Sequence, residues 1–464
     1  MFEDEDFIDF PELLNRYEEM IQNETIYFFD VEEFEALSSF LFDTGQTQKA
    51  LQLIQMGANQ HPESVELKVK KTRFLTAINK LREADYELAA LEELIPGSFD
   101  LLMARAYFYS RKSQHTKAIK VYKEALPLAE FPDEVWPVLA MEYQFTGNYQ
   151  LAIKYLRLTL EVNPEDEIAI YNMALCFNLL NKTEAGIDFF RQFVDNNPYN
   201  EMGWYQLGML YGEISDLSEA IKAFDYAILI DEFFTAAYFE KARIQELDFD
   251  FIGAIRTYQE DMEQEGELGY NLYRIGLCHL KLHQSQKAES FLRQAIHEDP
   301  DLDEAFYELA LIQDENKRWD EAVYHINKAI ELDPENWDYL YTSAEVHRRA
   351  GKLNEAEIIY QDLIKLGYID PDVFIDYAEL LFDLCEFKEG MDLLYQGVAL
   401  NPESPEIHYR IAGYLFTLQE SDEATIYFKK ALDLNPGGKA SFFSLFPKLK
   451  EHRALQNILK EPRC

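Results

Sequence analysis

The sequence predicts an all-α protein, a right-handed superhelical solenoid of about twelve 34-residue helix–turn–helix repeats. Three observations predict it. Steps of 34 residues land on Pro62, Pro96, Glu130, Pro164, Pro198, Glu232, Gly266, Pro300, Pro334, Tyr368, Pro402 and Pro436. Twelve residues before each mark stands Ala or Gly, from Ala50 to Ala424, and twelve before that a second small residue, from Ser38 to Ala412. Between these marks the apolar residues follow gaps of three and four, as in Trp204, Leu207 and Tyr211, which is the spacing of one helix face. A period held from Val31 to Gly438 with no net insertion means one unit stacked many times.

Each element has its reason. Residues 1–30 form an acidic segment with a short helix from Pro11 to about Asn23, since proline is favoured in a first helical turn. The twelve repeats are 31–64, 65–98, 99–132, 133–166, 167–200, 201–234, 235–268, 269–302, 303–336, 337–370, 371–404 and 405–438. In each, the small residues at the eighth and twentieth positions mark where two helix axes approach closely. The turn between the helices falls at Gly45-Gln46, Gly147-Asn148 and Gly351-Lys352, where glycine takes a left-handed cap. Proline at the thirty-second position stops the second helix. Residues 439–464 are basic and carry Phe442, Phe443, Leu445 and Phe446, enough to cover the last repeat as a capping helix.

The pattern Trp204-x2-Leu207-Gly208-x2-Tyr211…Ala220-x3-Phe224, closed elsewhere by Asn163-Pro164, Asp333-Pro334 and Asn435-Pro436, resembles the tetratricopeptide repeat. The resemblance covers about nine-tenths of the chain. It departs at Lys71, Arg105, Lys241 and Ser343, where the family has a leucine-like residue, and at Glu130, Glu232, Gly266 and Tyr368, which replace the closing proline. Those places are expected to pack loosely or to bend the stack. The resemblance implies a groove lined by positions 2, 5, 6, 9, 12 and 13 of each repeat. Tyr171, Tyr205, Phe239, Tyr273, Tyr307, Tyr341 and Tyr409 then form an aromatic ladder, joined by Tyr107, with Asn172 and Gln206 as amides able to bond a ligand's backbone. Lys70, Arg73 and Arg111 make one basic island. Arg243, Arg274 and Lys281 make another. Such islands could grip a carboxylate, or could pair with Glu66, Asp100, Glu240 and Glu246. The carboxylate clamp of the family's chaperone-tail binders is not reproduced in any three successive repeats.

Composition bounds the function. Apolar residues make up 48% and aromatics 14%, so the chain can bury a large core. A formal charge of −42 opposes nucleic acid and anionic membranes, and suits neutral or basic partners. No apolar run approaches the ~20 residues of a membrane helix, and the acidic start is unlike a secretory signal, so a cytoplasmic protein is expected. Four scattered cysteines, Cys176, Cys278, Cys385 and Cys464, form no Cys-x-x-Cys pair. His279 and His283 are four apart, but His283 falls in a turn and the motif Glu of a zinc protease is missing, so no metal is expected. Phosphate-binding glycine loops are absent as well, and no cofactor is expected. The reading is a non-catalytic scaffold or adaptor holding a protein or peptide in the groove, with a small-ligand sensor as the alternative. Residues 1–10 reach about 35 Å if extended, far enough for Phe2, Phe7 and Phe10 and their acidic neighbours to meet Lys70, Arg73 and Arg111.

Overall fold

The computed structural model describes residues 10–23, 27–264 and 266–460. The acidic start with Phe2 and Phe7, and Cys464, lie outside the described residues. Every regular element that is described is helical. The helix α1 (Phe10–Asn23) comes first, and helix pairs follow. They are α2 (Val31–Asp43) with α3 (Thr47–Gln60), α4 (Val65–Ala77) with α5 (Leu81–Leu94), and α6 (Phe99–Arg111) with α7 (His115–Ala125). Next come α8 (Trp136–Phe145) with α9 (Tyr149–Val162), α10 (Glu167–Leu179) with α11 (Thr183–Asn196), and α12 (Glu201–Glu213) with α13 (Leu217–Ile230). Then α14 (Thr235–Leu247) pairs with α15 (Phe251–Glu263), α16 (Leu268–Lys281) with α17 (Ser285–Glu298), and α18 (Asp303–Glu315) with α19 (Trp319–Leu332). The last pairs are α20 (Trp337–Arg349) with α21 (Leu353–Lys365), α22 (Pro371–Asp383) with α23 (Phe387–Leu400), and α24 (Pro405–Thr417) with α25 (Ser421–Leu434). Two short helices, α26 (Lys439–Leu445) and α27 (Arg453–Lys460), close the chain. The stack forms two compact units, Met1–Ile244 and Gln245–Cys464, each an all-α array of such pairs.

The turn inside each pair is one device used throughout. Its left-handed residue is Gly45, Asn79, Ser113, Gly147, Asn181, Ser215, Phe249, His283, Lys317, Gly351, Cys385 or Gln419, all at positive φ and 34 residues apart. The hydrogen bonds are those of a Schellman cap: the Gly45 N–H donates to the Phe42 carbonyl at 3.0 Å and the Gln46 N–H to the Leu41 carbonyl at 2.8 Å. Entry to the next pair uses a second device that the sequence reading did not draw. Ser64, Ser98, Asp166 and Asn200 accept from the N–H three residues on, at 3.3, 3.3, 2.9 and 2.6 Å, and so satisfy one orphan donor of the helix they start.

The small residues are buried where helices touch. An added Cβ on Gly208 would come within 2.8 Å of the Phe224 ring, and one on Gly390 within 2.8 Å of Phe382. The fully buried Ile54, Phe190, Phe224, Tyr258, Tyr360 and Phe428 fill the space beside them. The leucine-like positions that carry polar residues are satisfied by ion pairs or hydrogen bonds. Lys71 meets Glu87 at 2.6 Å, Lys241 meets Asp225 at 2.7 Å, Arg105 meets Glu92, and the Ser343 hydroxyl lies 3.2 Å from His347 Nδ1. Lys71 also lines an open cleft of about 560 Å³.

The four missing prolines have separate explanations. Around Glu130, Pro127 and Pro132 start 3₁₀ turns instead, so α7 stops early and α8 starts late. At Glu232 the preceding Asp231 carboxylate accepts the Phe233 N–H at 3.0 Å. At Gly266 a Cβ would lie 2.3 Å from an Asp261 carboxylate oxygen, so a side chain there would displace the carboxylate that accepts from Asn271. Before Tyr368, Gly367 at φ 87° ends α21, and the Tyr368 N–H donates to the Leu363 carbonyl at 3.0 Å. The C-terminal segment is two helices rather than one, because Pro447 opens a 3₁₀ turn between α26 and α27. Phe442 is buried on Phe428, with ring centres 4.9 Å apart, and Phe446 fills the space above Gly413, while Leu445 stays exposed.

Candidate partner-binding face

First helices of successive pairs touch directly. In the first unit α2 packs on α4, α4 on α6 and α10 on α12. In the second α20 packs on α22 and α22 on α24. They form a layer whose open side follows from helix geometry. In α10 the buried side is Ala169, Ile170, Met173, Ala174, Cys176 and Phe177, so Ile168, Tyr171, Asn172, Leu175, Asn178 and Leu179 form the open side.

Across α8, α10 and α12 the open side is apolar where exposure would normally select charge. Ile168 is 74% exposed, Phe145 62% and Tyr171 57%, and Leu179 and Met141 are exposed beside them. Met103, Val138, Met202, Tyr205 and Met209 are half-buried along the same layer. Only four charged residues occur in α8, α10 and α12 together: Glu142, Glu167, Glu201 and Glu213. Glu142 is buried, 3.0 Å from His115 Nδ1, and the other three sit at helix ends. In a chain with 28% charged residues this is a deliberate-looking vacancy of charge, and apolar surface of this kind marks interaction sites. The amides of this face already have partners. The Gln144 Nε2 donates to the Asn172 Oδ1 at 3.2 Å, and the Asn178 Nδ2 to the Glu213 Oε1 at 2.6 Å. Gln206, expected on the groove, is buried instead, with its amide 3.7 Å from the Met202 sulfur.

The first basic island is split. Lys70 and Arg73 line a cleft of about 420 Å³ with Glu35, Glu66 and Asp100. The Lys70 ammonium donates to the Glu35 carbonyl at 2.8 Å; burial pushes its pKa down, and the Glu35 charge opposes that. Arg111 is not on that cleft and donates instead to the Ala77 carbonyl at 3.2 Å, at the end of α4. Tyr107 is half-buried on α6.

The remaining ladder residues are half-buried or buried, and three of them bond inward. Tyr205 packs on Phe224 and Phe234, with ring centres 5.8 and 5.1 Å away. Phe239 and Tyr273 are half-buried, and burial pushes the Tyr273 phenol up. The Tyr307 hydroxyl is 3.3 Å from the Thr342 hydroxyl, and Tyr341 donates to the Asp376 carboxylate. Tyr409, expected to line the groove, is 6% exposed and donates to the Asn435 carbonyl at 2.8 Å, because the C-terminal helices cover it. Arg243 pairs with Glu240 at 2.7 Å and Arg274 with Glu246 at 2.8 Å, so both guanidinium groups serve local ion pairs. Lys281 is exposed, and its charge holds down Glu308, which burial pushes up.

One cluster escaped the sequence reading. Arg348 meets Glu345 at 3.4 Å and Glu379 at 3.1 Å, Arg349 meets Glu345 at 3.0 Å and also Asp314, and Arg410 meets Glu379. Burial pushes the Asp376 carboxyl up, against the pull of the Tyr341 hydrogen bond. The signal was present, since Arg348, Arg349 and Arg410 stand at groove positions 12, 13 and 6 opposite Glu and Asp one repeat away. The first-helix layer of the second unit is thus charged and internally paired, whereas α8, α10 and α12 of the first unit carry almost no charge. Among the described residues, no group of three His, Cys, Asp or Glu could hold a metal ion, and no helix is long and apolar enough to cross a membrane. His279 stacks on Phe291 and lies 3.2 Å from Gln284, while His283 serves the turn at φ 57°.

A stack of helix pairs with a small residue at each crossing and an open first-helix layer is the architecture of a helical-repeat protein. Tetratricopeptide repeat family models match residues 138–201, 203–234, 270–301, 303–336 and 405–437. At those residues the chain carries tetratricopeptide repeats. It is 23% identical over 390 residues to the TPR repeat-containing protein YpiA of Bacillus subtilis (strain 168), covering 82% of this chain and 90% of that protein. It is 22% identical to the BBSome complex member BBS4 of Bos taurus, over 62% of this chain and 55% of that protein. The peroxisomal targeting signal receptor of Kluyveromyces lactis is 24% identical over 39% of each. A solved structure, YrrB, described as a TPR protein with an unusual peptide-binding site, aligns with a TM-score of 0.32 at 18% identity, over 38% of this chain and 92% of that one.

Proposed function

We propose that this chain is a non-catalytic scaffold or adaptor that holds a protein or peptide partner on the open first-helix layer of its first unit. The observation that carries the reading is the exposed apolar set Met141, Phe145, Ile168, Tyr171 and Leu179 on helices that hold no Lys, Arg or Asp. Leaving such side chains in water forgoes about 1.5–3 kcal/mol each relative to burial, which a partner restores. The relatives support the class of activity: one is named as a member of a complex and another as a receptor for a targeting signal. With −42 on the chain, the partner is neutral or basic overall. The test is photo-crosslinking in cells from position 171, compared with position 86, an exposed tyrosine on α5 away from this layer. A discrete set of proteins captured from position 171 and not from position 86 is expected. Identical capture from both positions overturns the assignment of the layer.

A further inference from the structure

Resting on that reading, we propose that the occupant of the first unit's open layer is an amphipathic α-helix with an apolar stripe and basic ends, accepted with wide tolerance of its sequence. Three independent features point there. The first is hydrogen bonding. An extended peptide brings a backbone N–H and C=O at every residue, and each must find a partner when it leaves water. This layer offers few, because the Gln144 amide N–H donates to Asn172 Oδ1, the Asn178 amide N–H is held by Glu213, and Gln206 is buried. A helix satisfies its own backbone and presents only side chains, so it fits a face with few donors and acceptors to offer.

The second feature is the kind of apolar side chain. Four of the ten methionines of the chain, Met103, Met141, Met202 and Met209, lie on α6, α8 and α12 along this one layer. Methionine is unbranched and polarizable, so it reshapes around differently shaped partners where Leu or Ile would hold one relief. The third is charge. Across α8, α10 and α12 the middle of the face carries none, the helix ends and the turn before α8 carry Glu134, Glu167, Glu201 and Glu213, and Arg111 at the end of α6 is bonded to the Ala77 carbonyl. Complementarity then asks for an uncharged apolar stripe in the middle of the occupant and for cations at its ends.

The test uses the full chain and a synthetic peptide of ~18 residues, long enough to be helical when bound. Its leucines follow the i, i+3, i+4, i+7 spacing, Ala and Gln fill the other positions, and two lysines stand at each end. One control keeps the lysines and places two prolines in the middle. Another exchanges the lysines for glutamates. Two further peptides carry Phe or Met in place of the leucines. Affinity is read by fluorescence anisotropy, and helix formation by the gain in circular dichroism over the separate components. Expected are at least a tenfold loss for the proline peptide, at least a fivefold loss for the glutamate-ended one at low salt, and affinities within about threefold for the Leu, Phe and Met stripes. The chain variant Ile168→Glu with Tyr171→Glu alters exposed positions, and its fold is checked by circular dichroism. It should lose at least tenfold for the leucine peptide. Equal binding of the proline peptide, abolished by the chain variant, would overturn the helix and keep the layer as a binding face. Binding insensitive to the chain variant would overturn the layer itself. A spread of more than tenfold among the three stripes would overturn the tolerance.

Discussion

The residue that turns each helix pair is the least comfortable one in it. All twelve turn positions take a left-handed backbone, yet only Gly45, Gly147 and Gly351 are glycine. An L-residue pays about 1–2 kcal/mol there, from Cβ against the following carbonyl, and Asn pays least because its side chain bonds locally. Phe249, at φ 61°, is the bulkiest of the set, and its ring is 80% exposed, so little packing compensates it. Phe249→Gly should therefore raise stability, by about 0.5–1 kcal/mol once the greater freedom of glycine in the unfolded chain is subtracted. Asn79→Gly, at φ 63°, should gain less. Chemical denaturation of the two variants checks the order, and a Phe249→Gly protein no more stable than the parent would mean that its ring contributes packing that its exposure does not reveal. The glycines of this turn were legible in sequence. The nine other residues were not, because nothing in the identity of Phe, Lys or Cys announces a left-handed backbone. Only their place in the 34-residue period does.

At the scale of the element, the helices themselves were readable because period and packing agree. Ala220 illustrates why. It is buried at the crossing of α13, with Gly208 of α12 lying over Phe224 one turn further on. A side chain with three more carbons has nowhere to go, so Ala220→Leu should destabilise by about 1–3 kcal/mol through overpacking. In a stack each pair contacts only its neighbours. Hydrogen exchange should therefore rise in α10 to α14 and hardly at all in α2 to α5, whereas loosening of equal size along the whole first unit would contradict nearest-neighbour coupling. Two element-level features were harder to read. The split of the C-terminal cap into α26 and α27 hangs on Pro447, whose role depends on which face of α24 it meets. The nearly uncharged stretch of α8, α10 and α12 could be read only by asking which charges are missing. Three tyrosines of the aromatic ladder, Tyr307, Tyr341 and Tyr409, are bonded inward, and Met141, Phe145, Ile168 and Leu179 are left open beside Tyr171.

For the whole molecule, charge is the term that sequence and structure treat differently. The chain has 85 acidic and 43 basic residues, so 42 carboxylates remain unneutralised even if every cation were paired. The structure does pair many cations, and in the second unit Glu345 and Glu379 each serve two arginines. Salt acts on these two populations in opposite directions. It weakens exposed ion pairs, which are worth only about 0–1 kcal/mol each to begin with. It also screens repulsion among the surplus carboxylates, which acts over every pair within a screening length of ~30 Å at 0.01 M and of only ~3 Å at 1 M. The surplus is as large as the paired set, and each surplus charge has several like neighbours, so relief of repulsion should win. Melting temperature is expected to rise between ~0.01 and ~0.5 M sodium chloride. The second unit, with its denser ion pairs, should gain less than the first, which hydrogen exchange at the two salt concentrations can separate. A melting temperature that is flat or falls over that range would mean that the surplus carboxylates lie too far apart to repel, and that the local pairs, not the net charge, set the stability of the stack.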